Sequence, residues 1–434
     1  MILLLPSPVE TAIKELESHG FEAYIVGGAI RDTLLGKTPH DFDIATNATS
    51  KEIQKIFANR PQINNNGAKH GTITVRIEST NIEITSFRGS SIEEDLSHRD
   101  FSINAIAYSH GKLIDPRCGE SDIKRRLITM GDDPEKIIKE DPLRILRALR
   151  FHASLGFAID ETTSTACKEY ANLLTQVAKE RILAECRMIF IAEDIEYILQ
   201  EYRVIFGVLF PCLVPCFDHD QHNPWHANDL YTHIVKVVAH VPSTFILRTA
   251  ALFHDIGKIP TESIEDKGNG TYVKHFYGHP IVSKDMAKPL LEEYRFPNDE
   301  KEEILFLIAH HDNEIALTKK SVKKALAKIT SFSNEPLKVL EELLDLQISD
   351  HLDHTTITPI HKEETLRIAQ SILSEKDAFQ IKDLDINGND LKALGYEGVA
   401  IGIALKSLLE AVIEEKVINE KQSLIRYLDE LKIK

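Results

Sequence analysis

The stretch that decides the fold of the N-terminal region reads Tyr-Ile-Val-Gly-Gly-Ala-Ile-Arg-Asp, at residues 24–32. A β-like run, Ala23–Val26, leads into two glycines, and a segment compatible with a helix follows them. Glycines at such a turn let the backbone approach a ligand closely, and the first turn of a helix offers N–H groups to a phosphate. A plain strand-to-helix turn has the same residues, so this stretch alone predicts only an α/β element.

Two carboxylates follow this turn at a spacing that suits a metal site. Asp41 and Asp43 are separated by one residue, and residues i and i+2 of an extended strand point to the same side. Such a pair can hold Mg²⁺, which neutralises charge during phosphoryl transfer. Glu83, in the β-like run 81–87, is the candidate for a third carboxylate from a neighbouring strand. An exposed strand face explains Glu83 equally well.

Length and composition set the class of protein. With 434 residues the chain can form two or more cores, and 43% hydrophobic and 27% charged residues are typical of a globular protein. The apolar run at residues 1–5 is too short for a signal sequence or a membrane span, and five cysteines without an export signal favour reduced thiols. We therefore expect a cytoplasmic protein.

Charge does not exclude a nucleic-acid partner. The net charge of −16 argues against one, because phosphate contacts need Lys and Arg. Residues 117–150, however, contain nine Lys and Arg residues. A solvated helical face would have the same composition, so this basic stretch permits RNA binding without demanding it.

The hydrophobic pattern changes near residue 134. Before it, an amphipathic helix at 9–18 precedes several β-like runs, and the runs Thr72–Ile77 and 81–87 predict a hairpin. After it, the pattern is helical almost throughout, so we expect an α+β head followed by an all-α remainder. Breaks in the helical part are predicted at residues 211–223, 267–271, 351–362 and 387–389.

The N-terminal motifs resemble those of a known family. Gly-Gly-x-x-Arg-Asp-x-Leu-Leu-Gly at 27–36, followed by Asp-Phe-Asp-Ile-Ala-Thr at 41–46, resembles the bacterial class II tRNA nucleotidyltransferases and their poly(A) polymerase relatives. The resemblance implies a head of the polymerase-β-like nucleotidyltransferase fold, followed by an all-α neck, body and tail. We place these parts at residues 1–133, 134–205, 206–360 and 361–434, and expect residues 385–420 of the tail to bind tRNA.

The same resemblance assigns residues to the nucleotide. The segment 98–108 resembles the family's second motif, which implies that Asp100 contacts the ribose 2′-OH; His98 stands where the family usually has Arg and is left out of the site. Asp115-Pro-x-x-Gly resembles a flexible linker, and Glu180-Arg-Ile with Glu185 a supporting helix. The nucleotide-binding residues implied are Gly27, Gly28, Arg31, Asp32, Arg99, Asp100, Asn104, Asp141, Arg144, Arg147 and Arg150.

Asp141 and Arg144 have two interpretations. Residues 140–144 can open a helix, with Asp141 as N-cap, a proline in the first turn and an i,i+4 ion pair. Cytosine and adenine, however, each present an amino donor beside a ring-nitrogen acceptor, so a carboxylate and a guanidinium on one helical face complement either base. The sequence Glu-Asp-x-x-Arg resembles the family's amino-acid template motif and favours base selection.

The interval between Arg88 and Arg99 is short. Family members that build the whole CCA end have a flexible stretch here, and its loss accompanies enzymes that add two cytidines and stop. Loops also tolerate neutral deletions. We favour CC addition from CTP to tRNA, with full CCA addition, using CTP and ATP, as the alternative. A poly(A) polymerase, and a hydrolase with an inactive head, are further alternatives.

A second metal site is predicted in the helical part. His233, His254-Asp255 and a later Asp resemble the HD superfamily of metal-dependent phosphohydrolases. Asp350 is the favoured last ligand and Asp312 its competitor, while His279, His311 and Asp312 could hold a second metal or a phosphate. Imidazole and carboxylate ligands suit Mn²⁺, Ni²⁺, Co²⁺ or Mg²⁺. The neighbouring His219, His222 and His226 are interpreted as loop histidines.

Overall fold

A computed structural model describes residues 4–39, 41–64, 71–222, 228–268, 271–352 and 360–431. The predicted loop histidine His226 lies outside these residues. The chain forms two compact units, Met1–Ile189 and Phe190–Lys434. Our predicted division into head, neck, body and tail is finer than this division and stays a prediction.

The first unit contains a seven-stranded mixed sheet in the order β3-β4-β5-β2-β1-β6-β7, and β8 and β9 pair separately. Its strands are β1 (Ala23–Val26), β2 (Asp43–Thr46), β3 (Gln62–Asn64), β4 (Thr72–Ile77), β5 (Thr80–Ser86), β6 (Ala107–Ser109), β7 (Lys112–Ile114), β8 (Leu127–Ile128) and β9 (Ala158–Ile159). Its helices are α1 (Ser7–Ser18), α2 (Gly28–Leu34), α3 (Ser50–Ile56), α4 (Ile92–Ser97), α5 (Gly119–Arg125), α6 (Pro134–Glu140), α7 (Arg144–Leu155), α8 (Glu161–Glu169) and α9 (Lys179–Phe190).

The hairpin β4–β5 forms as predicted, with a shorter turn. Ile73, Val75 and Ile77 alternate along β4 and are at most 2% exposed, which is the period of a strand with one buried face. Ile77 pairs with Thr80, so only two residues connect the strands, and Glu78 adopts φ of 53° to close the turn. Strand β5 therefore begins at Thr80, one residue before the predicted start.

Strand β2 occupies the centre of the sheet and aligns the predicted catalytic residues. It pairs antiparallel with β1, where Val26 is opposite Asp43, and parallel with β5, where Glu83 is opposite Asp43. The glycine turn after Val26 therefore lies beside the start of β2. Two carboxylates on adjacent strands and the turn at residues 27–28 meet at one end of the sheet.

The motif that begins at Asp115 holds α5 in place. Both carboxylate oxygens of Asp115 accept hydrogen bonds from backbone N–H groups, of Gly119 at 2.7 Å and of Glu120 at 2.8 Å. Ser102 Oγ donates to Asp122 at 2.6 Å. A Cβ on Gly119 would lie 2.1 Å from the Ser102 carbonyl oxygen, so only glycine fits this approach. The motif fixes α5 against the turn that follows Asp100.

The described part of the second unit is helical except for one hairpin. Its helices are α10 (Ile195–Glu201), α11 (Arg203–Leu209), α12 (Leu230–His240), α13 (Phe245–Phe253), α14 (Lys258–Thr261), α15 (His279–Glu293), α16 (Asn298–His310), α17 (Lys319–Ile329), α18 (Pro336–His351), α19 (Lys362–Ser374), α20 (Gly388–Ala393), α21 (Val399–Ile413) and α22 (Lys421–Leu431). Strands β10 (Ser263–Gly268) and β11 (Thr271–His275) pair antiparallel. The remainder is helical as expected, apart from this hairpin, which lies at the predicted break at 267–271.

The tail begins with well-capped elements. Asn387 Oδ1 accepts hydrogen bonds from the N–H groups of Asn389 and Asp390, and Asp390 Oδ2 accepts one from Asn387 N–H, so that α20 starts at the predicted break. Asn419 accepts from Asp385 N–H at 3.0 Å and donates to the Asp383 carbonyl at 2.9 Å. Among the residues that the structure describes, no helix combines the length and the apolar character that a membrane span requires.

Candidate nucleotide and metal sites

The carboxylates of the head lie at one end of the central strands. Asp43 begins β2 and is half-buried, while Asp41, two residues earlier, and Glu83, opposite Asp43 on β5, are exposed. Burial and the negative charges of Glu83 and Asp41 raise the pKa of Asp43 to about 6, against a lowering effect of Arg99. A divalent cation would relieve this repulsion, so the donor set fits Mg²⁺, which prefers oxygen ligands.

Gly27 brings backbone close to these acids. It has φ of 73°, and a Cβ there would lie 3.3 Å from Arg99 Nη1 and 3.7 Å from Asp43 Oδ2. Gly28 begins α2, whose first turn follows directly. The positive φ and the limited space both favour glycine, in agreement with the predicted ligand-facing turn.

Asp100 is buried and already has a strong partner. Its Oδ2 accepts a hydrogen bond of 2.7 Å from Arg147 Nε, and its Oδ1 accepts from Phe101 N–H at 2.9 Å and from Asn104 Nδ2 at 3.4 Å. Burial raises the pKa of Asp100, but the Arg147 guanidinium and these hydrogen bonds together hold it below its usual value. Asp100 is therefore an ionised, fixed acceptor.

Asp141 and Arg144 do not share a helical face, and that prediction is wrong. Asp141 is extended, with φ of −150° and ψ of 100°, and α7 begins only at Arg144. Asp141 Oδ1 accepts from Leu143 N–H at 3.2 Å in the turn before α7, but the N-cap of α7 is Leu143 and no side chain caps it, so the predicted N-cap role of Asp141 is wrong as well. The Arg144 guanidinium is 7% exposed and donates to the carbonyls of Ile137 and His98.

The two side chains nevertheless reach the same cleft as the head carboxylates. This cleft has a volume of about 460 Å³. Its lining consists of acids, arginines and a few neutral residues, namely Asp43, Thr72, Glu83, Thr85, Arg88, Asp95, Arg99, Asp100, Asp141, Leu143, Arg144, Arg147 and Arg181. A cleft with carboxylates at one side and guanidiniums around it can hold a metal-bound, polyanionic ligand.

Other predicted residues support the cleft without lining it. Arg31 donates to Asp32 Oδ1 at 2.8 and 2.9 Å and to Asn104 Oδ1 at 2.8 Å. Arg150 donates to Glu185 at 2.6 Å, and its guanidinium lies 4.3 Å from the Phe151 ring centroid. The predicted residues outside the lining are Asp41, Gly27, Gly28, Arg31, Asp32, Asn104 and Arg150.

Arg181 was missed as a site residue. Its Nη2 donates to Asp141 Oδ2 at 2.8 Å, and the side chain remains 53% exposed in the cleft. The sequence motif that contains Arg181 was interpreted as a supporting helix. Glu185 of this motif fits that interpretation, because it accepts a hydrogen bond from Arg150. The sequence offered one signal for Arg181. It is a charged residue beside Glu180 at the start of α9, where it does not contribute to an apolar helix face.

The short interval between Arg88 and Arg99 is an ordered helix. Ser91 Oγ caps α4 by accepting from Glu94 N–H at 3.3 Å, and Glu94 Oε2 accepts from Ser90 N–H at 2.8 Å. Asp95 is 3% exposed and accepts from Arg88 N–H at 3.0 Å and from the Arg99 guanidinium at 3.3 Å. The interval is thereby fixed at both of its ends.

A compact cluster of ligands lies in the second unit. His233 Nε2 is 2.9 Å from Asp350 Oδ1 and 3.3 Å from Asp255 Oδ2, and His254 Nε2 is 3.4 Å from both oxygens. Ligands that bind one transition-metal ion at about 2.0–2.2 Å are roughly 3 Å apart, so these spacings fit. Asp312 is exposed and is not in the cluster, whereas Asp350 is.

A second group of ligands faces the other oxygen of Asp255. His279 Nε2 lies 3.1 Å and His311 Nε2 3.6 Å from Asp255 Oδ1, and the two imidazole atoms are 3.2 Å apart. The two oxygens of Asp255 therefore face different groups of ligand atoms. Lys258, three residues later, lies 2.7 Å from Asp255 Oδ2 and was not predicted.

Hydrogen bonds orient the imidazoles for metal binding. Nδ1 of His254, His279 and His311 contacts a backbone carbonyl at 2.7–2.9 Å, and donation from Nδ1 leaves the Nε2 lone pair toward the acids. Among the described atoms, His254 Nε2 and both Asp255 oxygens are buried without a hydrogen bond of good geometry. Burial lowers the pKa of His254, but Asp255 and Asp350 raise it to about 9. These residues fit a divalent metal ion.

Three sequence families match this chain. The family described as "Poly A polymerase head domain" matches residues 23–92 and 88–129. The family described as "Probable RNA and SrmB- binding site of polymerase A" matches residues 156–214, and "HD domain" matches residues 231–356. The matches together cover more than half of the chain, and the HD match spans all four residues of the first metal cluster.

Curated relatives carry two different names. The "CC-adding tRNA nucleotidyltransferase" of Halalkalibacterium halodurans is 44% identical over 180 residues, which is 41% of this chain and 47% of that protein. The "CCA-adding enzyme" of Geobacillus kaustophilus is 40% identical over 202 residues, 42% of this chain and 49% of that protein. Over these stretches the chain is similar to tRNA nucleotidyltransferases. The alignments span about half the length of these relatives.

Solved structures of the family have the same fold. The Bacillus stearothermophilus CCA-adding enzyme in complex with CTP gives a TM-score of 0.68 at 24% identity, over 99% of this chain and 98% of that chain. The Thermotoga maritima enzyme complexed with tRNA gives 0.60 at 20% identity, over 99% and 97%. The predicted fold class, a polymerase-β-like head followed by helical regions with an HD domain, is confirmed.

The raised pKa of Asp43 predicts a pH-dependent metal requirement. Because Asp43 holds its proton up to about pH 6, protons compete with Mg²⁺ more strongly there than at pH 8. We expect the Mg²⁺ concentration for half-maximal nucleotide addition to rise from pH 8 to pH 6. Glu83→Gln removes a charge that raises the pKa of Asp43. In this variant the ratio of the half-maximal Mg²⁺ concentration at pH 6 to that at pH 8 should therefore be smaller. Equal half-maximal concentrations at both pH values would contradict the assignment.

Removal of the Asp141 carboxylate should weaken the choice of base. Asp141→Ala is expected to lower the ratio of kcat/KM for CTP to that for UTP by roughly 10- to 100-fold, the value of a hydrogen bond to a charged group. Steady-state incorporation with each nucleotide measures this ratio. Glu135→Ala, which removes an exposed acid of α6, is the matched control and should keep the ratio. An unchanged ratio in Asp141→Ala speaks against a template role.

Proposed function

We propose that this protein is a template-independent tRNA nucleotidyltransferase that transfers cytidylate from CTP to the 3′ end of tRNA and releases pyrophosphate. One observation carries the proposal: a single cleft contains the Asp43 and Glu83 carboxylates together with Asp100, Asp141 and Arg144. Catalytic acids and base-selecting residues thus face one ligand. The names of the curated relatives support the same activity.

The reaction is attack by the tRNA 3′-hydroxyl on the α-phosphate of CTP, with breakage of the bond to the β-phosphate. Asp41 and Asp43, with Glu83 nearby, would hold Mg²⁺, which would supply neutralisation of charge at the attacking and leaving oxygens. Arg99, beside Gly27 and Asp43, is placed to contact the triphosphate. The chain's own acids and guanidiniums therefore fix the reacting groups in one geometry.

Sugar and base are recognised by different residues. Asp100, fixed by Arg147, is the acceptor for a ribose 2′-OH. Asp141 and Arg144 select the base, and Asp141 must exchange its contact with Arg181 for one with the base. The second Arg181 contact to Asp141, at 3.5 Å, is long, and the side chain is largely exposed, so this exchange costs little.

The ordered interval between Arg88 and Arg99 favours CC addition. A pocket that changes from CTP to ATP needs a part that moves, and this interval is a capped helix, α4, anchored by the buried Asp95. Full CCA addition is the alternative, and both names occur among the relatives. The tRNA partner is supported by the RNA-binding family match at residues 156–214 and by the tRNA complex of the Thermotoga maritima neighbour.

Incorporation of single nucleotides tests the proposal. A tRNA transcript that lacks its CCA end is incubated with Mg²⁺ and one labelled nucleotide: CTP, ATP or UTP. We expect incorporation of CTP only, and none into an unstructured RNA. A long ladder with ATP on unstructured RNA supports the poly(A) polymerase alternative. The absence of any incorporation supports an inactive head.

A second candidate activity is metal-dependent phosphoester hydrolysis at the cluster of His233, His254, Asp255 and Asp350. The observation that favours it is the convergence of these buried ligand atoms, all within 4.8 Å of one another. A bound divalent ion would polarise a phosphate and activate water. Hydrolysis of p-nitrophenyl phosphate with Mn²⁺, Ni²⁺, Co²⁺ or Mg²⁺ tests this activity, and its absence with every ion argues against it.

A further inference from the structure

Two threonine hydroxyls lie in the cleft of the head and have no part in the reaction proposed above. Thr72 begins β4, and Thr85 lies directly opposite it on β5. Both residues are half-buried and line the cleft, and their Oγ1 atoms are 3.0 Å apart. A cross-strand pair of this kind stabilises a hairpin wherever it occurs. Its place in the cleft indicates a second use.

The strand order places the pair on one side of the predicted metal ligands. Strand β2, which begins with Asp43, lies between β1 and β5. The glycine turn and Arg99, which we assign to the triphosphate, are on the β1 side. Thr72 and Thr85 are on the β5 side, next to β4. The β5 side is therefore available for the second substrate, the 3′ end of the RNA.

Thr85 shares a strand face with Glu83. The two residues are separated by one position, so their side chains point to the same side, and both line the cleft. Two positions along a strand correspond to roughly 6.6 Å. In the proposed reaction the 3′-hydroxyl of the RNA lies beside the acids, and the 2′-hydroxyl is on the neighbouring carbon of the same ribose. The terminal ribose can therefore reach from the acids toward Thr85.

The chemistry of the pair suits a sugar hydroxyl. Each threonine hydroxyl has one proton to donate and two lone pairs that accept. One proton is used between Thr72 and Thr85, which leaves the pair able both to donate and to accept. A ribose hydroxyl also does both, whereas a phosphate oxygen only accepts and is repelled by the Glu83 carboxylate. The ribose of the incoming nucleotide is assigned to Asp100, so the pair remains for the RNA.

We propose that Thr72 and Thr85 bind the 2′-hydroxyl of the last nucleotide of the RNA and thereby position its 3′-hydroxyl for attack. The inference rests on the nucleotidyl transfer proposed above and assigns a subsite for the RNA substrate of that reaction. The pair exchanges no proton with the reacting oxygen. It distinguishes an RNA that ends in ribose from one that ends in 2′-deoxyribose, since the 2′-hydroxyl is the group that differs.

Two tRNA transcripts that lack the CCA end test this contact: one ends in ribose and the other in 2′-deoxyribose. For each we measure kcat/KM for addition of the first cytidylate, and the ribose value is divided by the deoxyribose value. Thr85→Val removes the hydroxyl and keeps the β-branched shape. We expect it to lower this ratio by roughly threefold to tenfold, the value of one neutral hydrogen bond. Any effect of the 2′-hydroxyl on the reactivity of the 3′-hydroxyl is the same in every variant and cancels.

The same hairpin offers matched controls. Thr85→Ser keeps a hydroxyl and should keep the ratio of the wild-type protein. Thr80→Val makes the same change as Thr85→Val at the other end of the hairpin, outside the lining of the cleft, and should also keep the ratio. Thr72→Val should act as Thr85→Val does. Thermal unfolding shows which variants are folded, and Thr72→Val carries the test if Thr85→Val is not.

The outcomes separate this assignment from the proposed function. Equal ratios in the wild-type protein, Thr72→Val and Thr85→Val overturn the assignment, while nucleotidyl transfer stands. A loss of discrimination between CTP and 2′-deoxy-CTP, with the ratio for the two transcripts unchanged, also overturns it, because the pair would then contact the incoming sugar. If the wild-type protein adds no cytidylate to either transcript, the proposed function fails and the subsite fails with it.

Discussion

Asp43→Asn is expected to lower the rate of nucleotide addition by at least about a thousandfold. The carboxylate at the start of β2 is the proposed metal ligand, and the sheet places it opposite Glu83; a lost metal contribution of several kcal/mol corresponds to roughly this factor. Single-turnover incorporation of CTP into tRNA lacking its CCA end measures the effect. Asp41→Ala should behave similarly.

The control for this experiment is an acid outside the cleft. Asp132 is exposed and does not line the cleft of the head, so Asp132→Asn should leave the rate within about twofold, as most surface substitutions away from a site do. Thermal unfolding shows whether Asp43→Asn remains folded. If Asp41→Ala and Asp43→Asn both add nucleotides at the normal rate, the head is not the site of transfer.

His254→Ala should weaken metal binding at the cluster of His233, Asp255 and Asp350 and spare nucleotide addition. His254 is fully buried, and its Nε2 faces the acids of the cluster, so the substitution removes one of the four ligand side chains. We expect metal affinity to fall by at least about 100-fold, more than the loss of an outer hydrogen bond usually causes. Hydrolysis of p-nitrophenyl phosphate should disappear with the metal.

The matched control is His240→Ala, which removes an exposed histidine from α12, the helix that carries His233. Metal content after dialysis is measured by mass spectrometry, and CTP incorporation reports whether the first unit is intact. Normal metal content in His254→Ala would show that the cluster is not the metal site. A fall in CTP incorporation as large as the fall in hydrolysis would show that the two activities are not separate.

The head could be predicted closely because its signals are local. Strand β1 follows directly from its apolar run, and the alternation along β4 predicts the hairpin. From the sequence we expected only that Glu83 lies on a strand near Asp43. Their direct pairing could not be predicted, because β2 and β5 are far apart in sequence. Glu83 is exposed on β5 and lines the cleft, so its assignment as a third catalytic carboxylate stays a prediction.

The surroundings of Asp141 and Arg144, the proposed base-selecting residues, were harder to predict because they are formed by residues distant in sequence. Arg144 has the sequence of a solvent-exposed charge, yet it is buried and bonded to the His98 carbonyl. Asp141 meets Arg181 on α9, forty positions away in sequence, and no periodicity predicts that pair. The extended backbone at Asp141 follows from Pro142, which disfavours helical geometry at the residue before it.

In the second unit the ligands were predictable and their environment was not. The pair His254-Asp255 and the choice of Asp350 over Asp312 agree with the cluster that the structure forms. The hairpin β10–β11 was missed because its two strands are short and β10 is exposed throughout. Lys258 was also missed. A buried lysine near a metal site is unfavourable unless an acid pairs with it, so its position beside Asp255 was not expected.

We propose that this protein adds two cytidylates to tRNA without a nucleic-acid template. The most direct test of this proposal is a denaturing gel of a tRNA transcript that lacks the CCA end, incubated with Mg²⁺ and with CTP and ATP together. The account predicts a product longer by two nucleotides that does not change with time. A product longer by three nucleotides would contradict CC addition, and an unextended transcript would contradict the proposed activity as a whole.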